Sequence, residues 1–272
     1  MLSVEEIHLL IEKLEKAKKE DFQQLIDTHL KILKDIAFSV DAYNTNQIKK
    51  IDKPTSWYEV DLNWREKNKD IAEDSLLDAR IQSKIAQFSK MGNNLQNCLE
   101  IGPGYGRHVL MLRAWRLIFL SEAIKECKEK IYKKFPPQHQ RLLRFYTTNE
   151  AKCPDVPNNS CNFVFSWDTF TFFTQQHIES YLQDVHRVLI PGGYGFIHYA
   201  NCEYDADLHE AKRGYWNYNT KSSMQKTLQQ MDFDVIEMDQ FRPRANYAIF
   251  KKPGNDNPAV YMTKEIPLPL IK

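Results

Sequence analysis

The stretch that most constrains this 272-residue chain is Cys98-Leu99-Glu100-Ile101-Gly102-Pro103-Gly104-Tyr105-Gly106-Arg107, an apolar run ending in an acid and three alternating glycines. Glycine at every second position lets the backbone turn sharply and approach a ligand closely. The apolar spacing through Val109, Leu110, Met111 and Leu112 predicts a helix directly afterwards, whose unpaired N–H groups would attract a carboxylate or phosphate. A strand, a glycine turn and a helix in this order imply a nucleotide-containing ligand over Gly102, Gly104 and Gly106. A nicotinamide fingerprint requires its third glycine one residue later, where Arg107 stands, and redox chemistry with that cofactor is disfavoured.

Further on, the pattern alternates between apolar strand-like runs and amphipathic stretches, which predicts a parallel sheet covered on both faces. The strands are expected at Leu117-Ile118-Phe119-Leu120, Leu142 to Thr148, Cys161 to Ser166 and Tyr194 to Tyr199. Phe233 to Met238 and Tyr247 to Phe250 read as a terminal hairpin. Right-handed crossovers bring loops at the carboxyl ends of such strands to one edge, so the glycine loop, Glu122, Asn149 and Trp167 should converge there.

Four segments resemble the motifs of the class I S-adenosylmethionine-dependent methyltransferases. Glu100-Ile101-Gly102-Pro103-Gly104-Tyr105-Gly106 is similar to their first motif, and Glu122, 22 residues after Glu100, stands where the family grips the ribose hydroxyls. Cys161 to Asp168 resembles the fourth strand, and Tyr181 to Gly193 the helix and turn leading into the fifth. The resemblance implies a Rossmann-like, doubly wound α/β sheet of seven strands with an antiparallel terminal strand, preceded here by a helical extension. It implies S-adenosylmethionine as cofactor, held by Glu100, Gly102, Pro103, Gly104, Gly106, Arg107, Glu122, Ala123, Asn149, Glu150, Ser166 and Trp167.

Phe196-Ile197-His198-Tyr199-Ala200-Asn201 is similar to the Phe-Ile-His-His-Ser-Asn strand end of bacterial sugar and polysaccharide O-methyltransferases, with Tyr199 at the second histidine and Phe172 where that group often has another. Transfer to an alcohol requires removal of its proton as the bond forms, and His198 and Asp168 are the expected catalytic pair. Arg213, Trp216 and Tyr218 are expected to contact the acceptor, a saccharide or another small molecule. Metal independence is expected, and His177 and His186 read as structural residues of a helix. A non-catalytic scaffold with a vestigial cofactor pocket is the alternative that the long N-terminal helices and the departures at Tyr199 and Phe172 suggest.

Three segments follow from the patterning: a helical arm and linker at 1–69, a cofactor-binding domain at 70–252 and an extended tail at 253–272. Residues 3–38 carry two helical stripes, which would serve as a packing arm, a lid or a homodimer interface. Pro54, Trp57, Tyr58 and Trp64 interrupt the periodicity between 41 and 68. Residues 70–90 return to helix, burying Ile71, Leu76 or Leu77, Ile81, Ile85 and Phe88. A net charge of +1 argues against nucleic acid as substrate. No run approaches the ~20 apolar residues of a membrane span, and the chain start lacks a signal-peptide pattern. Five cysteines without a Cys-x-x-Cys pair are expected as buried thiols in a cytoplasmic protein.

Overall fold

The computed structural model describes residues 71–90, 97–112, 114, 116–121, 124–148 and 151–254. The expected arm and linker, the tail beyond Gly254, and the candidate residues Glu122, Ala123, Asn149 and Glu150 lie outside the described residues.

Seven strands form one sheet: β1 (Asn97–Ile101), β2 (Arg116–Ser121), β3 (Leu143–Thr147), β4 (Cys161–Ser166), β5 (Leu189–Tyr199), β6 (Asp234–Gln240) and β7 (Asn246–Lys251). Their order is β3-β2-β1-β4-β5-β7-β6. β1 to β5 are mutually parallel, whereas β7 runs antiparallel to both β5 and β6. The strand order reverses between β1 and β4, so a crevice opens beyond the carboxyl ends of those two strands.

Helices α1 (Ile71–Lys90), α2 (Ile124–Tyr132), α3 (Pro137–Gln140), α4 (Gln175–Val188), α5 (Asp205–Lys212) and α6 (Lys221–Gln230) complete the described fold. Strand side chains alternate between faces, and the two cores follow that alternation. Leu99, Ile101, Ile118, Leu120 and Val164 pack with Ile178, Leu182 and Val185 of α4 and with Met224 and Leu228 of α6. Cys98, Leu117, Phe119, Phe163 and Phe165 share the other core with Leu77, Ile81 and Ile85 of α1 and Cys127 and Ile131 of α2. On α1 the buried stripe runs through Leu77, because Leu76 is 67% exposed. All five cysteines are buried free thiols, each held protonated by burial, which pushes its pKa up.

Two expectations are corrected. No helix follows the glycine loop: the chain passes from Ile101 to Leu112 in consecutive turns, closed by Gly106 N–H donating to Pro103 O at 2.8 Å and Met111 N–H to His108 O at 2.8 Å. Gly102, Gly104 and Gly106 all adopt positive φ, which keeps the loop itself out of helix, and β2 already begins at Arg116, which leaves little chain for one. Val109 and Leu112 still reach the core, so the apolar spacing reported burial rather than helix. The second correction concerns β5, which starts at Leu189 instead of after Gly193. Gly192, at φ 81°, lets the strand bulge between the Cys161 and Phe163 pairings, while Gly192 and Gly193 bond to Lys252 beyond β7.

Candidate active site

β1 delivers Glu100 and the glycine loop to the crevice. Gly102 N–H donates to Leu120 O at 2.8 Å, anchoring the loop to the adjacent strand. A β-carbon on Gly102 would lie 2.1 Å from Thr169 Oγ1, whereas one on Gly104 would meet nothing within 4 Å. The loop is therefore packed at its first glycine and open at its second. Pro103 and Gly106 are buried beneath it. Lys130 of α2 covers the Tyr105 ring at 3.3 Å from its centre.

Glu100 is 2% exposed, and its Oε2 is buried without a hydrogen-bond partner. Burial pushes its carboxyl up to about 8. An unpaired acid beneath three positive-φ glycines is what a cationic, nucleoside-bearing ligand would satisfy, so these residues fit S-adenosylmethionine. The backbone donors expected from a helix are here those of successive turns. Ser166 Oγ spends its hydrogen bond on Ile101 O at 2.8 Å, so this expected cofactor contact ties β4 to β1.

β4 ends at Trp167 and Asp168, and β5 places His198 beside them. His198 is 1% exposed, with its ring stacked on Trp167 at 4.5 Å and set edge-on to Trp216 at 5.9 Å. Asp168 N–H donates to His198 Nδ1 at 3.1 Å, and Nε2 lies 3.1 Å from Arg244 O. The neutral ring thus accepts at Nδ1 and donates from Nε2, a tautomer assigned from these two backbone partners. Asp168 Oδ1 is also 3.1 Å from Nδ1, so a protonated ring would donate to the carboxylate. His198 and Asp168 are brought together as expected, but the imidazole has no nitrogen left for a substrate. Asp168, 36% exposed, is the member of the pair that reaches the pocket.

The pocket beside this pair is lined by Trp167, Asp168, Thr171, Phe172, Glu210 and Trp216, among others, and encloses about 120 Å³. Of the expected acceptor contacts, Trp216 stands in this wall. Arg213 and Tyr218 are not in its wall, and Arg213 instead covers the neighbouring Tyr215 ring at 4.7 Å. Residues 213–219 run between α5 and α6.

Several residues in and behind the pocket wall carry no sequence signal of their own. Asp78, on α1, holds Arg107 through Nη2 at 2.9 Å, and Arg107 Nη1 stands 3.8 Å from Asp168 Oδ2. Burial works to raise the Asp78 carboxyl, yet the His108 contact and the Arg107 charge outweigh it and keep it below its ordinary value. Glu210, on α5, pairs with Arg244 at 3.0 Å. Asp168 and Arg244 both adopt left-handed backbone, with φ of 57° and 64°, and His198 bridges them. Asp accommodates that conformation more readily than most residues, and two such turns around one imidazole mark a constrained site.

Among the described residues, no group of three potential metal-ligating side chains is present, and no helix is long and apolar enough to cross a membrane.

A family model described as a methyltransferase domain matches residues 74–238. No curated protein matches the chain. Solved structures similar to it include an S-adenosylmethionine-dependent methyltransferase from Mesorhizobium loti, 12% identical over 59% of this chain and 93% of that one, with a TM-score of 0.49. The N-methyltransferase NodS from Bradyrhizobium japonicum WM9, in complex with S-adenosylhomocysteine, is 14% identical over 65% and 87%, with a TM-score of 0.50. The [4+2]-cyclase SpnF is 10% identical over 65% and 81%, also at 0.50. At these identities the likeness is one of fold, and it spans different reactions. The sheet order, the glycine loop and the family match together establish that the chain belongs to the S-adenosylmethionine-dependent methyltransferases.

Proposed function

We propose that this methyltransferase acts on a hydroxyl of a sugar or glycan precursor, with Asp168 receiving the proton and His198 holding it. The observation that carries the reading is the half-exposed Asp168 carboxylate in the pocket wall with His198 Nδ1 at 3.1 Å. The cofactor supplies a methyl group on a sulfonium, a leaving group that requires no acid. What the chain must contribute is position and a destination for the acceptor's proton.

Positioning a nucleophile can supply ~7–11 kcal/mol of such a barrier. With the methyl donor bound beside the pocket, Asp168 would receive the acceptor hydroxyl's proton as the methyl is transferred. His198 Nδ1 can then take the proton while donating it back toward Oδ1, and Nε2–H stays bonded to Arg244 O. The imidazolium charge would lie beside the Asp168 carboxylate, with Asp168 N–H giving up its bond to Nδ1.

A saccharide is favoured by the pocket's chemistry. Trp216 and Tyr215 put aromatic rings in the wall, and Asp168 and Glu210 put carboxylates there. The pocket's space of about 120 Å³ leaves room for a small acceptor. Cytoplasmic residence is part of the same reading, supported by five buried cysteines with no disulfide among them. Homodimerisation through residues 3–38 is proposed from the apolar stripes in their sequence.

Asp168→Asn tests the assignment because Asn also tolerates left-handed backbone. The expected result is a fall in kcat of roughly 10²–10⁴-fold on a saccharide acceptor, with S-adenosylhomocysteine affinity nearly unchanged. Full activity in this variant, or methylation of amines with sugars inert, would overturn the proposal.

A further inference from the structure

The two nitrogens of His198 meet different kinds of partner. At Nδ1, Asp168 offers both a donor, its backbone N–H, and an acceptor, Oδ1, each at 3.1 Å, so this side accommodates the nitrogen with or without its proton. At Nε2 the partner is Arg244 O at 3.1 Å, and a carbonyl only accepts. A bare Nε2 there would set two lone pairs against each other around a ring that is 1% exposed. The position of Arg244 O therefore decides which nitrogen of the neutral ring is basic. Arg244 lies in left-handed backbone, at φ 64°, in the turn between β6 and β7, and such a turn persists only where its surroundings fix it.

Helix α5 supplies that restraint. Asp207, in its first turn, is fully buried, and its Oδ2 accepts the Asn201 N–H at 2.8 Å and the Asn246 Nδ2–H at 2.6 Å. Asn201 follows His198 on the chain leaving β5, and Asn246, just after Arg244, opens β7 opposite Tyr199. One carboxylate thus ties the segment that carries the imidazole to the segment that carries its carbonyl partner. Nearly one turn later on the same helix, Glu210 holds the Arg244 guanidinium at 3.0 Å. Burial raises the Asp207 carboxyl above its ordinary value, although the Asn201 N–H, His198 and Arg244 all draw it down. An acid at that depth is costly, and an apolar side chain would fill the space at less cost if filling were its whole task.

We infer that Asp207 is a positioning residue: by holding the end of β5 and the β6–β7 turn together, it keeps Arg244 O on His198 Nε2 and leaves Nδ1, on the Asp168 side, as the basic nitrogen. The part this tautomer plays in catalysis rests on the reading of His198 as the holder of the acceptor's proton, whereas the tautomer itself does not.

Nitrogen-15 NMR of the labelled full chain, above the ring's own titration as located in the same spectra, tests this without an acceptor. The wild type should show His198 protonated at Nε2 and bare at Nδ1, and the reverse pattern overturns the inference. Asp207→Ala should raise the Nδ1–H form roughly two- to ten-fold, the worth of one hydrogen bond. Asn246→Ala, which keeps Asp207 and its bond to Asn201, should shift it in the same direction. Asp207→Asn retains a carbonyl oxygen for both donors and should keep the wild-type pattern; an effect as large as that of alanine would overturn the hydrogen-bonding role. Affinity for S-adenosylhomocysteine reports whether each variant is folded. A merely structural residue would lower Tm and leave the tautomer alone, so wild-type ring signals in folded Asp207→Ala, or in Asn246→Ala should the former not fold, refute the inference.

With methyl glucoside as acceptor, the shifted tautomer should lower kcat and leave KM nearly unchanged. A shifted tautomer with unchanged kcat would refute the proton-holding role of His198 and leave the assignment of Asp207 standing.

Discussion

Replacing Glu100 by Gln separates the stability of this fold from its cofactor binding. Burial raises the Glu100 carboxyl from 4.5 to about 8. A raised carboxyl keeps its proton in the folded protein while the unfolded chain has already released one, so stability falls as pH rises from about 4.5 to 8. At ~1.36 kcal/mol per pH unit, the full penalty is about 5 kcal/mol above that window and absent below it. Gln titrates nowhere in this range. The difference in unfolding free energy between Glu100→Gln and the wild type should therefore move by about 5 kcal/mol in the variant's favour between pH 4 and pH 9, whatever the buried amide itself costs. Urea denaturation at each pH, without cofactor, measures this.

Binding should show the opposite preference. S-adenosylmethionine carries positive charge, which an ionised Glu100 complements, so wild-type affinity should climb by nearly ten-fold per pH unit toward pH 8 and then level. The variant should bind weakly, with a flat profile. A stability difference that changes by less than about 1 kcal/mol across the window would refute the reasoning.

Other substitutions probe other parts of the account. His198→Ala strands Asp168 N–H and Arg244 O and opens space between two tryptophans, which should cost about 2–5 kcal/mol in chemical denaturation along with activity. Gly104→Ala meets no neighbour, so at φ 51° it should cost stability only about 1 kcal/mol, while titration calorimetry should show a much larger loss of cofactor affinity. Gly195→Ala would place a β-carbon 2.1 Å from the buried Phe250 ring, and overpacking there should cost about 1–3 kcal/mol, lowering Tm in a calorimetric scan without a selective effect on binding.

Period-two burial made the sheet readable. Cys98 and Leu99 go to opposite cores, as do Phe163 and Val164, and such alternation between amphipathic helices leaves few arrangements. The same apolar code misread Val109 to Leu112, because burial in a turn and burial on a helix select the same residue types. Proline and two glycines at 191–193 read as a turn, yet bonds from Lys252 hold them in β5 as a bulge. At the site, Glu100, Asp168 and His198 stood out by their places at strand ends. Whether His198 has a free nitrogen depends on Arg244 O, a backbone contact from the β6–β7 turn that has no sequence mark. Asp78, Thr171 and Glu210 come from a helix, a 3-10 turn and another helix, and only the fold collects them.

Transfer of an isotopically labelled methyl group from S-adenosylmethionine to methyl glucoside, with the product's linkage read by NMR, tests the central claim most directly. The account predicts a methyl ether on a ring oxygen, formed by the wild type and nearly lost in Asp168→Asn. Label appearing on a nitrogen acceptor instead, or equal transfer by both proteins, would contradict it.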